Sequence, residues 1–357
     1  VWFYRKRRIG ADRFSLTVRQ YRRLIIAVAG FYLIWLLITM YWPNSDQRMA
    51  MESARSLLSG DYSPWDAVGF VYASPMVPLG YAYTYPSQNG LILFLAVIVM
   101  IFRDLTPYAV QILNIGFLFG GVYFLSCLAV RLFGLKSIRG ILILTFACLP
   151  FAFYITFVYG TMPGFCLSSA ALYFVYRYIE TEKLSRFFIA AVTAAVSVLL
   201  KSNYLIVLVA LVIYLLSEGV FRRKARFLAA AVLMILVYMG SGRLMNMVLE
   251  QATGRPVSGG IPMTAWVEMG LQEGSRGPGW YNGYNVSVFA GNDDDTEKTK
   301  EAIREDLMDT ITQFAAQPEE AADFFLRKAQ SIWAEPTFQS LWIQEVKGGS
   351  WLLPGMT

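Results

Sequence analysis

The sequence predicts an all-α polytopic membrane protein, with juxtamembrane helices on the outer face and a C-terminal extracytoplasmic mixed domain. Three observations predict it. Hydrophobic residues make up 56% of the 357 residues and charged residues only 16%, whereas a soluble domain is nearer a quarter charged. The apolar residues come in blocks roughly 20 long, which is bilayer length rather than core-helix length. Basic residues crowd the ends of those blocks, as they do on the cytoplasmic side of membrane proteins.

Residues 1–22 form a basic N-terminus: Arg5, Lys6, Arg7, Arg8, Arg13, Arg19 and Arg22 stand against the single acid Asp12. This cluster abuts an apolar block, so it reads as a cytoplasmic anchor to anionic lipid headgroups and not as a nucleic-acid surface. Residues 23–244 form the membrane module. Its expected spans, about seven by length, are 23–42, 108–130, 140–158, 163–179, 187–203, 204–217 and 226–244. Three intervening loops are basic, holding Arg131/Lys136/Arg139, Arg177/Lys183/Arg186 and Arg222/Arg223/Lys224/Arg226. With those loops inside, the turns at Tyr159–Gly164 and Lys201–Asn203 fall outside. The apolar stretch 89–102 is too short for this zigzag: its helix reaches about 21 Å against a core of about 30 Å. It is expected to be interfacial or re-entrant, the alternative being an eighth span lengthened back into 84–88.

That arrangement makes 43–107 a long first outer loop and 245–357 an extracytoplasmic C-terminal region. The latter opens with a Gly/Pro-rich stretch from Gly254 to Gly283 and continues into a charged helix near 296–316. A second helix follows Pro318, where proline suits the first turn and Glu319 and Glu320 suit the helix dipole. Trp333, Phe338, Leu341, Trp342 and Trp351 read as interfacial aromatic and apolar anchors. The chain opens at Val1 without Met and stops at Thr357 without a closing feature. The expectation is a piece of a longer protein, which makes the span count a lower bound. No internal repeat is visible.

Composition also limits the chemistry. There is no histidine, so His bases, His-containing triads and His-metal sites are excluded. Cys127, Cys148 and Cys166 lie inside apolar blocks and read as small hydrophobes. Acid–base work therefore falls to carboxylates, lysine, tyrosine or cysteine.

The first outer loop carries the candidate chemistry. From Pro43 to Tyr62 the pattern is an amphipathic helix. Ala50, Ala54, Leu57 and Leu58 form its apolar stripe, and Arg48, Glu52 and Arg55 its charged one. Ser45 or Asp46 is placed to cap its start and Gly60 to end it. Asp46 then sits at the outer membrane surface, either as a plain cap or as a general base toward an acceptor hydroxyl. Arg48 either pairs with Glu52 or holds a phosphate oxygen. Lys201 either snorkels from a helix end or serves as a cation facing outside, where topology does not favour positive charge.

A span followed by Asp46, the pattern Ala54-x-x-Leu57-x-x-Gly60-Asp61, then Tyr85-Pro86 and an apolar half-span resembles the GT-C glycosyltransferases. The similarity is to the family of protein mannosyltransferases and the aminoarabinose transferase of lipid A. Leu199-Leu200-Lys201 resembles that family's Leu-Thr-Lys stretch, and the resemblance covers residues 20–245. It implies transfer of a sugar, usually with inversion, from a polyprenyl-phosphate carrier to a hydroxyl acceptor on the non-cytoplasmic face. The acceptor is a cell-envelope glycan, a lipid or a protein. By position Asp46 is then the base, and Arg48 and Lys201 hold the donor phosphate. Asp61, Tyr85, Gln88, Trp280 and Tyr281 are site-lining candidates. The chain departs from the family at Gln47, at Thr84-Tyr85-Pro86-Ser87-Gln88 and at Tyr159-Gly160-Thr161-Met162, where the family often has acids. A divalent cation, Mg or Mn, is left open with fewer acids to hold it. A bacterial cell membrane is the expected setting. Two alternatives stand: a polysaccharide polymerase or ligase, and a lipid-linked-glycan transporter or flippase, which needs charge at mid-depth or paired broken helices.

Three further motifs need weighing. Asn292-Asp293-Asp294-Asp295 lacks the glycine and distal glutamate of a calcium loop and reads as a solvated turn. Asn285-Val286-Ser287 matches the glycosylation pattern. Gly277–Tyr284 puts Trp280, Tyr281 and Tyr284 on a Gly-rich loop, either as ordinary loop packing or as faces for sugar rings.

Overall fold

The computed structural model describes residues 18–39, 41–70, 78–335 and 344–346. The basic residues before Val18, together with Phe338, Leu341, Trp342 and Trp351, lie outside the described residues, as do the side chains of Arg19 and Arg22.

The bundle is all helical. It comprises α1 (Val18–Thr39), then, beyond three intervening helices, α5 (Thr106–Phe133), α6 (Ser137–Ala147), α7 (Leu149–Tyr154), α8 (Thr161–Thr181), α9 (Leu184–Leu200), α10 (Leu205–Phe221) and α11 (Ala225–Thr253). Three helical runs are long and apolar enough to cross a bilayer: Pro86–Phe133, Ser202–Phe221 and Ala225–Thr253. The first of these is not one rod. Arg103 takes a φ of 50°, and the rings of Phe94 and Phe117 lie 6.3 Å apart, where a straight helix would separate them by about 34 Å. The chain folds back there, so α4 (Asn89–Phe102) and α5 are separate helices. Large apolar side chains cover the bundle's outside, among them Ile26, Leu144, Ile206 and Phe221. That surface suits an oily surrounding rather than water.

One expected span differs. The stretch 140–158 is not a continuous helix. α6 stops at Cys148, whose ψ of 87° leaves the helical region, and Pro150 opens α7. Proline supplies no N–H to the ladder and clashes with the preceding turn, so the helix breaks ahead of it. Beyond Tyr154 the backbone runs irregularly to Gly160. This buried stretch is satisfied by amides from elsewhere. Gln111 Nε2 donates to the carbonyls of Tyr41 and Thr156, each at 2.8 Å. Asn114 Nδ2 donates to those of Ile155 at 3.0 Å and Phe157 at 2.7 Å. Buried backbone groups outside a helix need such partners.

The elements between α1 and α5 begin with β1 (Tyr41–Pro43), which pairs antiparallel with β4 (Gln344–Val346). α2 (Ser45–Ser59) follows, then α3 (Tyr81–Thr84) and α4. Gly60 ends α2 in the left-handed conformation, as expected. The start differs: Asn44, not Ser45 or Asp46, is the cap, its side chain accepting from the Ser45 amide at 2.7 Å. The buried face of α2 is Gln47, Met49, Ala50, Met51, Ser53 and Ala54, while Leu58, expected in the apolar stripe, is exposed. Past α11 come α12 (Thr264–Leu271), a small hairpin of β2 (Glu273–Gly274) and β3 (Gly277–Pro278), α13 (Tyr284–Gly291), α14 (Thr296–Ala316) and α15 (Pro318–Trp333). Met49, Leu95, Ala265, Phe289 and Ile303 belong to one hydrophobic cluster, so α2 and α4 share a core with the C-terminal region. The Asp run, expected as a solvated turn, works partly as a clasp. Asp294 Oδ2 accepts from the Gly69 amide at 2.9 Å, Asp295 caps α14, and Asp293 meets Lys298 at 2.8 Å.

Candidate active site

Two interruptions of regular helix meet at one end of the bundle: the irregular stretch Ile155–Gly160, and the break between α9 and α10 at Lys201–Tyr204. Glycines permit the meeting. A Cβ on Gly160 would lie 1.9 Å from the Leu200 carbonyl oxygen, and one on Gly90 would lie 2.1 Å from that of Leu199. The starts of α4 and α8 are thus pressed against the end of α9, and Lys201 emerges where the three converge.

The Lys201 ammonium stands over the Tyr159 ring, 4.1 Å from its centroid, a cation–π arrangement. The Tyr159 hydroxyl accepts a short hydrogen bond from Gln88 Nε2. α2 is tied to the same place, since Gln47 Oε1 accepts from the Val158 amide at 2.8 Å. That tie brings Asp46, in the first turn of α2, beside the break. The Tyr81 hydroxyl donates to the Asp46 carbonyl at 3.4 Å.

The electrostatics show that these groups share one environment. Burial pulls the Lys201 ammonium down to about 8, while the Asp46 carboxylate pulls the other way. Burial raises the Tyr159 phenol, and Asp46 raises it further. The Tyr281 phenol is raised by the same two influences in the same order, and it is hydrogen-bonded to Tyr85 and Asn285. Tyr281 is 44% exposed overall, but its hydroxyl end is buried near Asp46, and these two influences outweigh the hydrogen bonds to Tyr85 and Asn285, which act the other way.

The C-terminal region is clamped above this site. The Ile261 amide donates to the Thr84 carbonyl at 3.0 Å, Arg255 meets Asp66 at 2.9 Å, and the Tyr85 and Trp266 rings lie 6.5 Å apart. An apolar groove of about 560 Å³ runs between α4, α5, α8, α9 and α11, lined by Gly90, Phe94, Phe117, Leu167 and Met245, with Leu199 and Leu200 also in its wall. Leu200 of this lining directly precedes Lys201 in the chain.

Of the residues singled out from sequence, Asp46, Lys201, Gln88, Tyr85 and Tyr281 come together. Three do not join them. Arg48 follows Asp46 by two positions, about 200° around the helix, so it shares the solvent-side stripe with Glu52 and Arg55. Glu52 pairs with Arg55 at 3.0 Å, and Arg48 forms no ion pair among the described residues. Asp61 holds its own turn, accepting from the Ser63 amide at 3.0 Å and the Ser56 hydroxyl at 2.9 Å. Trp280 carries the Arg276 guanidinium 5.6 Å over its ring. Tyr159 and Asn285 were not singled out for the site; the first was noted only for the acid its loop lacks. Asn285 is 2% exposed, which leaves no room for a glycan on its nitrogen. Among the described residues no three Asp, Glu or Cys side chains converge on a cation site, so the divalent cation has no ligand set there. No family model matches this chain, and neither does any curated protein or solved structure.

Proposed function

We propose that the protein transfers a sugar from a polyprenyl-phosphate carrier to a hydroxyl acceptor on the non-cytoplasmic face of a membrane. One observation carries the reading. The Asp46 carboxylate lies close enough to the Lys201 ammonium to act on it, and Leu199 and Leu200, which directly precede Lys201 in the chain, line an apolar groove. The groove suits a prenyl chain, the ammonium suits its phosphate, and the carboxylate suits the acceptor. In the step proposed, Asp46 accepts the proton of the acceptor hydroxyl and the acceptor oxygen bonds to the anomeric carbon. The bond from that carbon to the phosphate oxygen breaks, and the polyprenyl phosphate leaves with the electron pair, its charge balanced by Lys201.

The membrane arrangement belongs to the same proposal. α1, α5, the α6–α7 pair, α8, α9, α10 and α11 are taken as the crossings, with α2, α4 and the C-terminal region outside. The ion pair of Arg131 with Glu180 at 3.2 Å, at the far ends of α5 and α8 from the Gly160–Leu200 approach, supports a bundle with two distinct faces.

The test is turnover by purified protein in nanodiscs, with prenyl-phosphate-linked monosaccharides as donors. Asp46→Asn is expected to lose transfer by at least ~100-fold, the usual worth of a general base, while still binding the prenyl phosphate. Turnover by Asp46→Asn at the parent rate refutes the base assignment. A lipid-linked-glycan flippase is the second reading, favoured by the paired breaks at Ile155–Gly160 and Lys201–Tyr204. Translocation of a lipid-linked sugar across vesicles without any transfer would select it.

A further inference from the structure

The site has two sides built from different parts of the chain. Lys201 and Tyr159 come from the two helix breaks of the bundle, and Lys201 directly follows Leu200 of the groove wall. Tyr281 and Asn285 come from the C-terminal region. Asn285 lies in the first turn of α13, and Tyr281 on the loop that joins β3 to it. Its course depends on positive φ at Gly277, Gly279 and Gly283, and Gly279 packs closely against Ile332 of α15. Tyr85 receives this loop: it hydrogen-bonds Tyr281, and its ring adjoins those of Tyr81 and Trp266. Asn285 is buried, and its Oδ1 has no hydrogen-bond partner among the described residues, so acceptor capacity is left beside the phenol. A displacement at an anomeric carbon brings the nucleophile in opposite the leaving group. The carrier side being the bundle side, the nucleophile arrives from the side of Tyr281.

We propose that Tyr281 binds the acceptor: held by Tyr85 and Asn285 beside Asp46, its phenol hydrogen-bonds a polyhydroxylated or hydroxyl-bearing acceptor and presents the reacting oxygen to the carboxylate. This rests on the transfer reading above and adds that the C-terminal region, not the bundle, selects the acceptor. Tyr281→Phe keeps the ring and removes the hydroxyl with its bonds to Tyr85 and Asn285, so the variant's unfolding midpoint in detergent is measured beside the parent's to separate acceptor binding from folding.

The experiment uses the full chain in nanodiscs, farnesyl-phosphate-linked monosaccharides as donors, and a panel of methyl glycosides and Ser/Thr peptides as acceptors. Tyr281→Phe should raise the KM for the accepted class about tenfold, the equivalent of one lost hydrogen bond. Farnesyl phosphate affinity should stay at the parent value. An unchanged acceptor KM, or a loss confined to farnesyl phosphate affinity, overturns the assignment while leaving the transfer reading in place. Failure of the parent protein to bind farnesyl phosphate at all overturns the transfer reading, and this one with it.

Discussion

Lys201 is held at a helix break with an aromatic face beneath it and a carboxylate nearby, and its behaviour with pH follows from that. It is an ammonium below about 8 and a neutral amine above. Binding of a prenyl phosphate should therefore weaken as pH rises through that value, which equilibrium binding measured from pH 6 to 10 will read. Lys201→Arg should flatten the dependence, because a guanidinium stays charged throughout. Asp46→Asn removes the influence that raises the lysine, so the fall should move to lower pH. Glycine has its own consequence here. Gly160→Ala would drive a methyl group against the Leu200 carbonyl oxygen, backbone that cannot swing aside. A loss of about 1–3 kcal/mol is expected from such overpacking, measurable as a lowered midpoint of unfolding in detergent. Asp46 and Lys201 were visible as candidates in the sequence because a charged side chain stands there at the end of an element. Tyr159 was not, because a tyrosine beside a glycine has no distinguishing pattern until another helix end is packed against it.

Helices were legible where a local signal was strong. Gly60 after a charged amphipathic repeat marked the end of α2, and Pro318 with two following acids marked the start of α15. The basic loops placed the α8–α9 and α10–α11 connections within a few residues. The break in 140–158 was not read, because the apolar run hides the interruption and Pro150 alone does not say where the backbone leaves the helix. What holds that interruption in place is non-local: Gln111 and Asn114 reach it from α5 across 41–45 residues of sequence. Asn114→Leu would strip two buried carbonyls of their donor at similar volume. The expected cost is about 1–3 kcal/mol per orphaned group, seen as a lower unfolding midpoint. Because the same stretch carries Tyr159, donor binding should weaken as well.

At the scale of the whole molecule, several ties join the C-terminal region to the segment between α1 and α5, among them Gly69 with Asp294, Tyr83 with Asp294, Asp66 with Arg255, and Thr84 with Ile261. None was visible in the sequence, since each joins residues far apart in the chain. Charge reversal at Arg255 (Arg255→Glu) should loosen this clamp. Faster amide hydrogen exchange is expected in 277–285 than in α8 or α9, together with weaker acceptor use and unaltered prenyl phosphate binding. An exchange pattern identical to the parent would mean that the clamp does not position the Tyr281 loop. The central claim is that a carrier's phosphate lies at Lys201 with its chain in the groove below. An electron cryo-microscopy map of the protein with bound polyprenyl phosphate tests it most directly. The account predicts phosphate density in contact with the Lys201 ammonium and prenyl density running past Leu200 and Phe94. A headgroup seated elsewhere, with Lys201 and Asp46 untouched by the lipid, would contradict it.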